Sequence, residues 1–178
     1  MNLKIRTMVM IALCSAIMVI FSQIAIPLPL TSVPITLQLF GVVVISMILD
    51  KKCSLIALVI YTLLGAIGLP VYANFSGGVG VLVGPNGGYI FGFIIMAYIV
   101  GLFKEKENTT LTYIGAYLGM SIEYVIGVIQ LKIILRLTLE QALISGLYPF
   151  IIKDVVIVAM GVYVGTVISK RVISDVLI

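Results

Sequence analysis

Long apolar runs, broken only by prolines, glycines and short charged clusters, fill almost all of this 178-residue chain and leave it one solvent to fold in. Charged residues make up 10% of it and hydrophobic ones 62%, against roughly 25% charged in a typical soluble domain. A soluble chain of this size would have too little polar surface to cover itself. A spanning helix needs roughly 20 apolar residues, so six would use about 120 and leave short loops. The reading is an all-α integral membrane protein, a six-transmembrane-helix bundle forming one membrane-embedded domain over residues 1–178. There is no room for a nucleotide-binding domain beside it.

The breaks set the expected helices. The first runs from about Met8 to Ile26 and stops at Pro27-Leu28-Pro29; the second starts near Ile35, after Pro34, and ends at Asp50-Lys51-Lys52. The third covers Ser54 to Gly68, ahead of Pro70, and a glycine-rich segment, Val71 to Gly88, comes after it. The fourth spans Tyr89 to Phe103, the fifth Thr109 to Leu131 and the sixth Tyr148 to Ile168. Short or Gly/Pro-interrupted segments are often where membrane carriers keep a binding site. Lys4 and Arg6 before an apolar stretch resemble the start of a cleavable signal, but the stretch is longer than a signal core, so an uncleaved first helix is expected.

The net charge of +4 does not indicate nucleic acid, because the basic residues form small groups between apolar runs instead of a stripe with aromatics. They read as topology determinants. With the N-terminus inside, Lys4, Arg6, Lys51, Lys52, Lys104, Lys106, Lys170 and Arg171 face the cytoplasm, and Lys132, Arg136 and Lys153 do not. That bias places both termini on the cytoplasmic side. With no His, and with Cys14 and Cys53 in unrelated places, metal-ligand spacing is absent and a disulfide is not expected.

Three ionisable residues break the apolar pattern: Glu123 in the fifth run and the adjacent Lys153 and Asp154 in the sixth. Charge in hydrocarbon is costly, so each is a candidate functional residue. In the expected topology all three lie toward the external face, where the loops Pro27–Pro34 and Val71–Gly88 also open. Neighbours on a helix project about 100° apart, so Lys153 and Asp154 are not expected to face one point directly. They either contact a ligand or form a structural ion pair, with each other or with Glu123.

The segment from Asn74 through Phe75, Ser76, Gly77 and Gly78 to Gly84-Pro85-Asn86-Gly87-Gly88 is the most unusual. Glycine lets backbone approach a ligand closely, and irregular backbone at membrane depth belongs inside protein or around a cavity. It has no lysine and no Gly-Lys-Ser/Thr, so it is not a phosphate-binding loop. The alternatives are a ligand-contacting loop and a plain external one. Small residues four apart recur at Ala12 and Ala16, Gly115 and Gly119, and Gly161 and Gly165. Such faces let helices approach, inside the bundle or, for Ala12 and Ala16, against another membrane subunit. No catalytic constellation is visible.

Gly68-Leu69-Pro70-Val71-Tyr72-Ala73-Asn74-Phe75-Ser76-Gly77-Gly78, then Gly84-Pro85-Asn86-Gly87-Gly88-Tyr89, resembles the signature of the BioY family, biotin-binding S components of energy-coupling factor (ECF) transporters. Val33-Pro34-Ile35-Thr36-Leu37-Gln38 and Tyr148-Pro149-Phe150 ahead of Asp154 resemble it too. The sequence departs from it at Ile152-Lys153-Asp154, where many members read Pro-Gly-Asp, and at Ile157, near which they carry a lysine.

The resemblance implies a multi-pass protein of the bacterial cytoplasmic membrane that captures biotin from outside. It also implies a membrane coupling protein, docking on Ala12 and Ala16, and two ATPase subunits; no enzyme activity and no cofactor are expected. Biotin's ureido ring then meets Asp154 and the amides of Asn86, Asn74 or Gln38, and its apolar parts meet Phe75, Tyr89 or Tyr148. Its carboxylate meets Lys153 or N–H groups of the glycine loop around Ser76, Gly77 and Gly78, with Glu123 a further candidate. The alternative is a stand-alone proton-coupled carrier of a small carboxylated solute, using Glu123 and Asp154.

Overall fold

Helical structure in the first apolar run stops at Gln23, before its apolar character ends, because the next residues pair as a strand. In the computed structural model the described residues are 5–29 and 31–176, with side chains through Arg171; Lys4 lies outside them. Helix α1 (Ile5–Gln23) leads into β1 (Ala25–Ile26), which pairs antiparallel with β2 (Ile35–Thr36) in the register Ala25 to Thr36 and Ile26 to Ile35. The ribbon shortens the second helix: α2 is only Gln38–Ile48, not a helix from Ile35 to Asp50.

Helix α3 (Lys51–Ala66) starts at once, since Asp50 caps it by accepting from the N–H groups of Lys52 and Cys53 at 2.9 Å each. Tyr72 then sets the course of the chain. Its ring occupies the space beside Gly65, and its hydroxyl donates to the Thr62 carbonyl at 2.6 Å. The glycine-rich segment is more ordered than a plain loop, with a 3-10 turn over Ala73–Phe75 and a one-turn helix α4 (Val79–Leu82). Helices α5 (Gly87–Lys104) and α6 (Thr109–Leu135) come next, then α7 (Leu139–Gly146) and α8 (Tyr148–Val176). The sequence reading passed over α7, although Thr138 and Gln141 form a reciprocal capping box at its start.

Helix α5 packs along α6, α2 along α8, and α3 against α5 and α1. Small residues permit this: Gly115 and Gly119 on α6 receive Phe103 and Met96, and Gly161 and Gly165 on α8 receive Val43 and Met47. Ala12 and Ala16 differ, standing on the exposed face of α1 beside Leu13 and Ile17. Cys14 and Cys53 are buried and unpaired. Among the described residues four helices, α1, α5, α6 and α8, are long and apolar enough to cross a membrane, whereas α2 and α3 are shorter. At the end of the bundle bearing the α2–α3 turn, Lys51 Nζ pairs with Glu105 at 2.6 Å, and Lys104 Nζ donates to the Leu49 carbonyl at 2.9 Å. The Lys51 ammonium hydrogen bond holds the Glu105 carboxyl below its ordinary range.

Candidate functional site

At the opposite end, side chains fasten three connecting segments to one another. Ser22 Oγ donates to the Val71 carbonyl at 2.5 Å, and Gln23 donates to the Tyr72 carbonyl at 3.1 Å while accepting from the Phe75 N–H at 2.9 Å. Asn86 Nδ2 donates to the Ser32 carbonyl at 3.0 Å, and Thr31 Oγ1 to the Ser145 carbonyl at 2.7 Å. Gln130 on α6 donates to the carbonyls of Leu82 and Gly84 at 2.7 and 2.8 Å. The glycine-rich segment is thus pinned at both ends by neutral amides and hydroxyls.

Beneath these segments lies a cavity of about 210 Å³. One water needs about 10–15 Å³ on such a measure, so the space is ligand-sized. Its wall combines apolar and aromatic groups (Leu39, Tyr72, Tyr89, Ile90, Phe93, Phe150) with the polar ends of Gln38, Glu123, Tyr124, Lys153 and Asp154. Exposure rises from Gln38, Glu123 and Asp154, all buried, to Ser32 and Asn74, which are exposed and mark the mouth.

Asp154 organises the floor. Its Oδ2 accepts from the Tyr124 hydroxyl at 2.5 Å, and its Oδ1 lies 2.5 Å from Lys153 Nζ without hydrogen-bond geometry. Lys153 Nζ also donates to the Thr36 carbonyl at 3.3 Å. The lysine's long stem brings two adjacent helix positions to one place, contrary to what their angular separation suggested. Gln38 is fixed by donating to the Tyr61 hydroxyl at 2.8 Å, and Tyr89 by donating to the Gly146 carbonyl at 2.9 Å.

Among the described residues, three buried side-chain oxygens lack a hydrogen-bond partner: Asn86 Oδ1, Glu123 Oε2 and Asp154 Oδ1. All three residues line this cavity. Asp154 Oδ1 has the Lys153 ammonium as an ionic partner, which leaves Asn86 Oδ1 and Glu123 Oε2 orphaned. Buried polar groups are normally paired, so these oxygens around one space mark a site for a molecule that hydrogen-bonds to them. No cluster of His, Cys, Asp and Glu suited to a metal occurs among the described residues.

Of the residues expected from the sequence, Gln38, Asn74, Ser76, Asn86, Tyr89, Glu123, Lys153 and Asp154 come together here. Phe75, Gly77, Gly78 and Tyr148 do not line the cavity. Asn74 and Phe75 are both left-handed, with φ of 57° and 54°, and Phe75 is 72% exposed. Gly77 lies against the Leu69 carbonyl where a Cβ would overlap it, and Gly78 takes φ +94° while its N–H donates to Gly65 at 2.7 Å. Both glycines therefore serve the turn itself. Tyr148 is exposed at the start of α8, and Phe150, two positions on and so about 200° around the helix, is the aromatic that reaches the cavity. The sequence reading missed Tyr124, which comes directly after Glu123, and Phe93, one helical turn from Tyr89 on the same face of α5.

The BioY family model matches residues 1–174. The chain belongs to the BioY family. It is 37% identical over 166 residues to the "Biotin transporter BioY" of Thermotoga maritima, covering 93% of this chain and 96% of that one. It is 35% identical over 163 residues to the "Probable biotin transporter BioY" of Pyrococcus horikoshii, covering 92% and 96%. Among solved structures, the crystal structure of the S-component for biotin from an ECF-type ABC transporter superposes with a TM-score of 0.86 at 28% identity, covering 93% of this chain and 92% of that one. This BioY member is accordingly an integral protein of the cell membrane that crosses it several times.

Proposed function

We propose that the chain is the biotin-binding S component of an ECF-type importer. The observation that carries this reading is the pair of orphaned oxygens, Asn86 Oδ1 and Glu123 Oε2, beside the Lys153–Asp154 ion pair in a cavity walled largely by apolar and aromatic groups. Biotin's ureido ring brings two N–H donors and one carbonyl acceptor. The donors suit Asp154 Oδ1, Glu123 and Asn86 Oδ1; the carbonyl suits an N–H of Lys153. The thiophane ring and alkyl chain suit the faces of Tyr89, Ile90, Phe93 and Phe150. The names carried by the relatives and by the structural neighbour support this over a stand-alone proton-coupled carrier.

The reading includes six crossings with both termini in the cytoplasm. Helices α2 and α3 are short, but Lys51 at their turn pairs with Glu105 just past the end of α5. The turn therefore lies level with the far end of a helix long enough to span. The basic groups at that end make it the cytoplasmic one, and the cavity then opens outside. The exposed Ala12 and Ala16 present a small-residue face for a membrane coupling protein, and two ATPase subunits supply the energy.

Biotin uptake by cells expressing this protein with and without a coupling module tests the proposal. Uptake should depend on that module and on ATP. Uptake that survives ATP depletion but collapses with an uncoupler at constant ATP would favour the proton-coupled carrier.

A further inference from the structure

We propose that this site reads the ureido head of its ligand and leaves the acid at the end of the alkyl chain unread, so that biotin amides form a second class of ligand. The inference rests on the biotin reading above and deepens it.

The reason is the count of charges around the cavity. Among the described residues, Lys153 is its one lining cation and no arginine lines it. That ammonium already lies 2.5 Å from Asp154 Oδ1 and donates to the Thr36 carbonyl at 3.3 Å. Glu123, 1% exposed, lines the same space with no hydrogen-bond partner for Oε2. A ligand carboxylate drawn down to Lys153 would have to compete with Asp154 for an ammonium that Asp154 already holds, in a setting where like charges repel strongly. The same floor suits a neutral head that donates hydrogen bonds.

A carboxylate could be held at the mouth by N–H groups of the glycine-rich segment. Three backbone N–H groups of that segment are already engaged. The Phe75 N–H donates to Gln23 at 2.9 Å, that of Ser76 to the Ala73 carbonyl at 3.3 Å, and that of Gly78 to Gly65 at 2.7 Å. The Asn86 side-chain N–H donates to Ser32 at 3.0 Å, leaving its oxygen toward the cavity as an acceptor, which a carboxylate cannot use. With the head on the charged floor, the acid end lies among Ser32, Asn74 and Ser76, where residues are exposed or half-exposed and water solvates it. A group left in water contributes little to discrimination, whereas a site built around a buried polar group rejects an analogue lacking it by roughly 10⁴-fold.

Equilibrium titration of the purified, folded protein with biotin, biotin amide and a biotin methylated on a ureido nitrogen tests this directly. The expected result is a Kd for the amide within tenfold of that for biotin, with the methylated compound at least a hundredfold weaker. An amide tenfold or more weaker than biotin would overturn the inference and leave the biotin reading standing. Binding of none of the three by demonstrably folded protein would overturn both.

Discussion

Asp154 is held from two sides before any ligand arrives, by the Tyr124 hydroxyl and the Lys153 ammonium, and it keeps one oxygen free of hydrogen bonds. Replacing it by Asn exchanges one of the two acceptor oxygens for an N–H, so that Tyr124 and Lys153 can no longer both be matched. A hydrogen bond to a charged group contributes about 1.5–3 kcal/mol, so Asp154→Asn should weaken biotin binding at least about tenfold by isothermal titration. Unchanged affinity would remove Asp154 from the site. Phe75 makes the converse case. The sequence nominated it as a wall, but two successive left-handed residues leave it 72% exposed and off the cavity, so Phe75→Ala should leave the biotin Kd unchanged within about twofold. The three ionisable residues were legible because charge in an apolar run has few explanations. Tyr124 was not, because a tyrosine is unremarkable in a membrane helix until a particular carboxylate is found against it.

Between elements, the cavity depends on how closely α5 and α6 approach. Tyr89 lies over Gly127 where a Cβ would overlap the ring, and the same ring lines the cavity and bonds to Gly146. Gly127→Val should push Tyr89 inward, costing about 1–3 kcal/mol as overpacking does. Thermal unfolding in detergent should show the loss, and biotin titration should show weaker binding from a residue that touches no ligand. Proline and charge marked most helix ends, since a missing N–H or a capping carboxylate acts locally. The β1–β2 ribbon was hidden because Ala25–Ile26 and Ile35–Thr36 are as apolar as the helices they adjoin, and only their pairing tells them apart. Helix α7 was legible in principle through its capping box, but its short run carries no spanning signal.

For the whole molecule, the number of crossings turns on the α2–α3 turn. If these helices made only a re-entrant hairpin, every other loop would keep its side and only the turn at Asp50, Lys51 and Lys52 would change. A single cysteine at Lys52, with Cys14 and Cys53 replaced, should therefore resist an impermeant thiol reagent applied to intact cells, while one at Asn74 reacts. Labelling of Lys52→Cys from outside would reduce the bundle to four crossings. That the chain is helical and crosses the membrane several times was readable from hydrophobicity; the cavity was not, because it depends on which faces α2, α5, α6 and α8 turn toward one another. Capture of biotin is the claim on which the site, the orientation and the partners converge. The most direct measurement is to purify the protein after growth with biotin, denature it and assay the released small molecule. About one unmodified biotin per chain is the expected result. Its absence, with no binding on titration of folded protein, would leave a BioY-family fold around a different solute.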